Sequence, residues 1–427
     1  MLFKTKTALL PLCIAIALNS AAVLADTLTL KDAAVVALAS NPSLAAIQSR
    51  ADALAAIPSQ VETLPDPRLM VNLVNLPLDH PSFTQEGMTQ FQVGISQMLP
   101  YPGKLALRGE AATQEAKAAL FDLDERRLQL KRDVTTVWWN VFYLDKALVI
   151  NAKNQSLLQQ FVTIAETRYQ VGQGLQQDVL LAQLELSQLQ NRVIALQQLR
   201  ESESARLNTL LDRPVQQSFM LPDQVDELLV ALPTADELHQ RALVARPNLE
   251  AQAFRIKAAQ ARIDLAKKDY YPDFKVGAVY GLREGSNPDG SHRSDFASVQ
   301  FSMNLPIFAE TKQSKAVDQR TAEWLRQKYS LDNHRNQVLA QVNRAMTDYQ
   351  NILRQIEILK KQIIPQAQQT VDSMLAGYQV SKVDFLNLVR SQTKLYNFET
   401  DYWKALSGAN QALGRLEAAV GGGITHE

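Results

Sequence analysis

Residues that could do chemistry are few in this chain of 427, and they are scattered. Five histidines, His80, His239, His292, His334 and His426, share no ligand spacing, so no pair offers a metal two imidazoles from one helical turn. Asp79 beside His80 and Asp295 near His292 could add a weak metal contact, but solvated loop histidines are the simpler reading. Cys13 is the only cysteine and sits in an apolar N-terminal run, which leaves the rest of the chain without a disulfide framework or a thiolate metal site. No glycine loop shaped for phosphate and no Ser/His/Asp or Cys/His arrangement appears. Trp138, Trp139, Phe142 and Tyr143 form an aromatic group whose helical spacing fits packing better than a cofactor box. The expectation is a protein with no catalytic centre, no metal site and no cofactor.

The informative pattern is a repetition. Tyr169-Gln170-Val171-Gly172, continuing to Gln183, returns 209 positions later as Tyr378-Gln379-Val380-Ser381, continuing to Gln392. A period near 200 residues is too long for a solenoid unit and implies a duplicated half-molecule. Polar and titratable side chains gather at both copies: Tyr169 and Asp178 in the first, Tyr378, Asn387 and Arg390 in the second.

Basic and acidic residues balance at 44 each, and removing a leader that carries Lys4 and Lys6 leaves 42 against 44. That balance argues against nucleic acid as a partner. The leader itself, residues 1–25, reads as a cleaved signal peptide: Lys4 and Lys6, an apolar run from Ala8 to Leu18, then Val23-Leu24-Ala25 before Asp26. The run falls short of the roughly 20 apolar residues of a spanning helix. Leu12 precedes Cys13 where lipid attachment wants a small residue, so the chain is expected to be unlipidated.

Each half repeats one plan: 26–212 and 234–420, joined by a connector over 213–233 and followed by a flexible tail over 421–427. A short amphipathic helix comes first, then a helix opened by Asn41-Pro42 or Arg246-Pro247, where the missing proline N–H would be unpaired anyway. Those helices stop at Leu64-Pro65-Asp66-Pro67 and Tyr271-Pro272-Asp273-Phe274. The period then changes to 2, with Phe91, Val93 and Ile95 on one face of a strand, and Val299, Phe301 and Met303 on one face of another. Strands are expected at about 68–77 and 88–99, and at about 274–284 and 295–305. On alternation alone, a soluble antiparallel sheet with one buried face is favoured; a length of about 10 residues equally suits a tilted membrane strand.

Helix length shifts the balance. From Leu120 to Tyr169 apolar residues recur at alternating spacings of three and four, broken only by Arg127, Asn151 and Gln155. Helical hairpins are expected over about 105–211 and 313–419, with Pro365 as a kink, and their long arms reach roughly 100 Å. Four strands cannot lie in a bilayer as an open sheet, because edge N–H and C=O groups would face hydrocarbon unpaired. Closing a barrel therefore needs further copies; three would supply twelve strands, and the pattern alone admits four copies as well.

This order of elements, with Tyr-Gln-Val-Gly at the helical tip, resembles the TolC-like outer-membrane factors over nearly the whole chain. The resemblance implies a mainly α fold with a membrane β-barrel: a homotrimeric, 12-stranded barrel in outer-membrane lipid of Gram-negative bacteria, continued by a periplasmic α-helical barrel. It implies a passive exit duct whose partners are a periplasmic adaptor and an inner-membrane efflux pump of the RND type. Leu64-Pro65-Asp66-Pro67 and Gln97-Met98-Leu99-Pro100-Tyr101-Pro102-Gly103-Lys104 look most like the branch paired with heavy-metal cation pumps. A drug-efflux or type I secretion duct is the alternative within the fold, and a soluble periplasmic coiled-coil scaffold the alternative outside it. Val171 and Gly172, with Val380 and Ser381, match the family's adaptor-docking tips, although Ser381 replaces the usual glycine. Some relatives narrow the periplasmic mouth with two acidic residues; those positions are Asn387 and Arg390 here, so the aperture is expected to use Tyr169, Asp178, Tyr378, Asn387 and Arg390.

Overall fold

Prolines and caps set the helix starts. In the first half, Thr29 caps α1 (Leu30–Ser40) by accepting from the Asp32 amide, and Asn41 caps α2 (Pro42–Ala55) by accepting from Ser43 and Leu44. Pro58 then sits in the first turn of α3 (Ile57–Glu62), at its boundary with α2. In the second half a reciprocal Thr234–Glu237 capping box opens α6 (Ala235–Ala245), and Pro247 opens the unbroken α7 (Pro247–Lys268). The computed structural model describes residues 27–226 and 230–424. The signal-peptide reading with Cys13, His426, and parts of the connector and tail lie outside the described residues.

The long elements are α4 (Lys104–Gln170) with its return α5 (Gln176–Leu210), and α8 (Gln313–Ile358) continued by α9 (Ile364–Gln379) with the return α10 (Phe385–Ala419). With 67 residues, α4 extends about 100 Å. Pro365 lacks an N–H to give, and the helix absorbs it with a π turn over Leu359–Ile363, after which Ile364 donates five residues back to Leu359.

The apolar seam of α4 is buried at Leu123, Leu130, Val134, Val137, Val141, Leu144, Leu158, Val162 and Ala165, while Leu120 and Tyr169 are exposed. Its polar interruptions are not gaps. Asn151 is fully buried and donates to Tyr396 Oη at 3.4 Å, Gln155 donates to Asn151 Oδ1 at 2.8 Å, and Gln392 donates to Asn154 Oδ1 at 2.7 Å. This layer faces α10, a helix of the other half, so α4 belongs to a layer of neighbours and not to an isolated hairpin. Midway along, Trp138 donates Nε1 to Leu28 O at 3.0 Å and stacks on Phe142, and Trp403 meets Phe142 edge-on. The aromatic group is therefore packing, wrapped by α1 and by Phe219 and Leu221 of the connector.

The four strands, β1 (Arg68–Val74), β2 (Gln90–Leu99), β3 (Phe274–Leu282) and β4 (Phe296–Met303), form one antiparallel sheet in that order. The register joins the two hairpins edge to edge: Leu69, Ile95, Ala278 and Val299 lie in one row, and Val71, Val93, Tyr280 and Ala297 in the next. Met70, Gly94, Val279 and Ser298 form a row on the opposite face. Gly94 is required there, since a Cβ would meet Val279 Cγ2 at 2.8 Å. A soluble sheet would bury the apolar face, yet Leu69 is 72% exposed and Val299 90% exposed. Among the described residues no helix is long and apolar enough to cross a membrane.

The halves are bolted together where α4 meets α7. Lys104 is buried, pairs with Asp269 at 3.0 Å and Asp273 at 2.9 Å and donates to Tyr271 O at 3.4 Å, while the Tyr101 and Tyr271 rings stack on each other. Farther down, buried Arg246 makes a two-pronged bond to Glu125 at 2.8 and 2.7 Å and also donates to Ala418 O. Removing one partner of such a pair strands the other charge in the interior. Arg246→Met is expected to lower unfolding stability by about 3–5 kcal/mol in urea titrations of the detergent-solubilised protein, and adding Glu125→Gln should recover much of that loss.

Candidate functional site at the helical tips

Both tips are built the same way. At the first, Gln173 N–H donates to Arg168 O at 2.8 Å and Gly172 N–H to Tyr169 O at 3.0 Å; at the second, Lys382 donates to Gly377 O at 2.9 Å and Ser381 to Tyr378 O at 3.1 Å. This double bond pattern closes a helix when the residue after the cap is left-handed, and Gly172 has φ +73°. Ser381 adopts φ +59°, a region that side chains disfavour by roughly 1–2 kcal/mol. The departure from glycine therefore preserves the turn at a cost in strain. Val171 and Val380 precede these residues, and each is 62% exposed.

What Ser381 adds is an acceptor. Arg168 of the first tip donates to Ser381 Oγ at 2.5 Å, to Gln379 O at 3.2 Å and to Gln173 O at 3.1 Å, and also reaches Tyr378 O. Its guanidinium lies over the Tyr378 ring, 4.7 Å from the centroid. One side chain thus ties the two tips of a single chain together. Sequence reasoning missed Arg168; the signal available was the mismatch of Arg168-Tyr169 with Gly377-Tyr378 in the repeat. Gly377 is needed where it stands, because a Cβ there would meet Val383 Cγ2 at 2.5 Å.

Of the aperture residues, Asp178 and Tyr378 come together: both are buried, and the phenol donates to Asp178 Oδ2 at 3.5 Å. Tyr378 also packs on Phe385 within the apolar cluster of the tips. Tyr169, Asn387 and Arg390 are exposed, and their side chains form no hydrogen bond among the described residues. Burial pushes the Asp178 carboxyl above the usual carboxylate range, with the Asp384 charge adding to the rise and the Tyr378 hydroxyl opposing it. Burial likewise raises the Tyr378 phenol, and the Asp178 charge adds to the shift.

At the strand end, His80 is exposed and His292 turns Nδ1 to Arg293 O at 2.9 Å. Asp295 is already engaged by the Tyr280 hydroxyl at 2.7 Å and the Arg283 amide at 2.9 Å. Among the described residues no three His, Cys, Asp or Glu side chains gather to hold a metal ion.

A membrane-type strand sheet carried on two long helical hairpins defines a helical-barrel channel of the TolC type. That fold is shared with the solved structure of CusC, at a TM-score of 0.80 with 18% sequence identity, covering 92% of this chain and 92% of that one. Among curated proteins, the cobalt-zinc-cadmium resistance protein CzcC of Cupriavidus metallidurans is 22% identical over 408 residues, 93% of this chain and 91% of the relative. The pyoverdine export outer membrane protein OpmQ of Pseudomonas aeruginosa is 23% identical over 342 residues, 79% of this chain and 69% of the relative. The sequence profile of the outer membrane efflux proteins matches residues 34–213 and 238–422, one match per half, and the chain belongs to that family.

A carboxyl that is harder to ionise in the folded tip penalises folding increasingly as pH rises above the ordinary carboxylate value and in full above its folded pKa, and the penalty disappears below the ordinary value. Asp178→Asn keeps an oxygen for the Tyr378 hydroxyl and removes the charge. Amide exchange at Tyr378–Ser381 is therefore expected to be slower in Asp178→Asn than in the parent at neutral pH, with the two converging in acid.

Proposed function

We propose that three copies of this chain close a twelve-stranded barrel in the outer membrane and a helical barrel in the periplasm, forming the passive exit duct of a tripartite efflux pump. One observation carries the reading: a four-stranded sheet whose apolar face is uncovered and whose β1 and β4 edges are both unpaired among the described residues. Such a sheet is acceptable in lipid only when neighbours complete the ring. Secretion through a cleaved, unlipidated leader belongs to the same reading.

The exposed valines Val171 and Val380, with Gly172 and Ser381 behind them, are the surface offered to the periplasmic adaptor, which in turn joins an RND-type inner-membrane transporter. The periplasmic aperture combines the Asp178–Tyr378 contact with Tyr169, Asn387 and Arg390, whose exposed side chains are free to meet neighbouring subunits. Arg168 holds each pair of tips as one body. Surface ion pairs are typically worth under about 1 kcal/mol, so a closed mouth needs several such contacts acting together. Arg168→Ala is expected to raise the closed-state conductance of the reconstituted duct; an unchanged conductance in Arg390→Ala would remove Arg390 from the aperture.

The proposed cargo is heavy-metal cations, supported by similarity to CzcC over 93% of the chain. Similarity to OpmQ favours pyoverdine as a second reading of the cargo. A deletion strain grown on graded zinc, cobalt, cadmium, copper and silver should be sensitised to at least one cation. Sensitivity confined to a lipophilic drug, or a defect confined to pyoverdine export, would overturn the cation cargo and leave the duct intact.

A further inference from the structure

We propose that the free edges of neighbouring copies pair in one defined register, with Gln300 of β4 opposite the partner subunit's Asn72 and Phe301 opposite the partner subunit's Val71. The inference rests on the duct reading and adds to it the residues that close the seam.

The internal repeat supplies the template. Leu99-Pro100 at the end of β2 recurs as Leu305-Pro306 after β4, a shift of 206, and Pro65-Asp66 before β1 recurs as Pro272-Asp273 before β3, a shift of 207. These two shifts come from sequence alone, and the sheet checks them. Applied to the observed pair Met70↔Gly94 of the first hairpin, they give Gly277↔Gln300, which is an observed pair of the second. The hairpins are therefore superimposable residue for residue.

The join between the halves, β2 against β3, then predicts the join between copies, β4 against a neighbouring β1. The observed pair Gly94↔Val279 becomes Gln300 against the partner subunit's Asn72, and Ile95↔Ala278 becomes Phe301 against the partner subunit's Val71. Val93↔Tyr280 becomes Val299 against the partner subunit's Leu73. Two features that the derivation did not use agree with it. Val299, Phe301 and Met303 of β4 meet the partner subunit's Leu73, Val71 and Leu69, so the greasy band continues across the seam, whereas a slip of one residue would flip a whole strand to the wrong face. Moreover, β4 is exposed along its full length, as are Leu69, Val71 and Leu73 of β1, as a strand awaiting a neighbour must be.

Cysteine pairs test the register in the full chain, produced in the outer membrane of a Gram-negative host and extracted in detergent; the sole native cysteine, Cys13, lies in the leader. Asn72→Cys with Gln300→Cys is compared with Met70→Cys or Val74→Cys, each with Gln300→Cys, which probe slips of two residues. Asn72→Cys with Gln92→Cys, directly opposite within one chain, shows that the oxidant works. Within one chain β1 and β4 stand three strand spacings apart, roughly 14 Å, beyond the roughly 7 Å limit between Cα atoms of a disulfide, so any β1–β4 link joins two copies.

Oxidation should convert the Asn72→Cys/Gln300→Cys protein to covalent multimers on denaturing gels, reversed by reductant, several-fold more completely than either comparator. A comparator that links more completely overturns the register and leaves ring closure standing. If none of the three links while the control closes, edge pairing fails, and the duct reading fails with it.

Discussion

Backbone hydrogen bonding at the two outer strands is the constraint on which the rest of this architecture depends. Each residue of a strand carries a donor and an acceptor that must be met, and in hydrocarbon there is no water to meet them. Inside the chain the sheet satisfies this for β2 and β3, which have neighbours on both sides, and for only one side of β1 and β4. The uncovered apolar face forbids leaving those edges in water, and the open edges forbid leaving them in lipid. Both conflicts vanish together if the sheet is an arc of a closed barrel. The helices obey the same logic in a weaker form, since α4 buries its seam against several neighbours, including a polar layer shared with α10.

Duplication makes the two halves interchangeable in plan and unequal in detail. Lys104 opens α4 and is locked by Asp269 and Asp273, whereas the residue 209 positions on, Gln313, opens α8 without a charge. Arg168 in the first tip clasps the second, and its counterpart is Gly377. In both places a cation of the first half sits at the contact between halves of one chain, and the equivalent position of the second half lacks it. The chain is thus tied more firmly within itself than the repeated pattern alone would suggest.

A duct asks little of its cargo. The family and the fold follow from long-range features that tolerate sequence divergence, which is why relatives near 20% identity share them. Among the described residues no cluster of His, Cys, Asp or Glu marks a metal site.

By itself, the sequence determined the periodic features. The heptad spacing of α4, the alternation in β2 and β4, the proline stops and the repeated tip all follow from local rules of 3.6 and 2 residues, so they can be read without knowing what lies alongside. It also placed Val171 and Val380 at turns, because glycine or its stand-in after a helix cap is a local requirement. Only the tertiary structure decided which faces and side chains meet. Asn151 looked like a defect in a seam because its partner Tyr396 lies 245 residues away, in the layer where Gln392 also meets Asn154, while Gln155 is held by Asn151 itself. Nothing local gives Arg168 its role, which appears only when Tyr378 and Ser381 are brought beneath it. The apolar rows of β1 and β3 line up into one face only through their register with β2 and β4, since periodicity encodes which residues share a face but not which strand stands next to them.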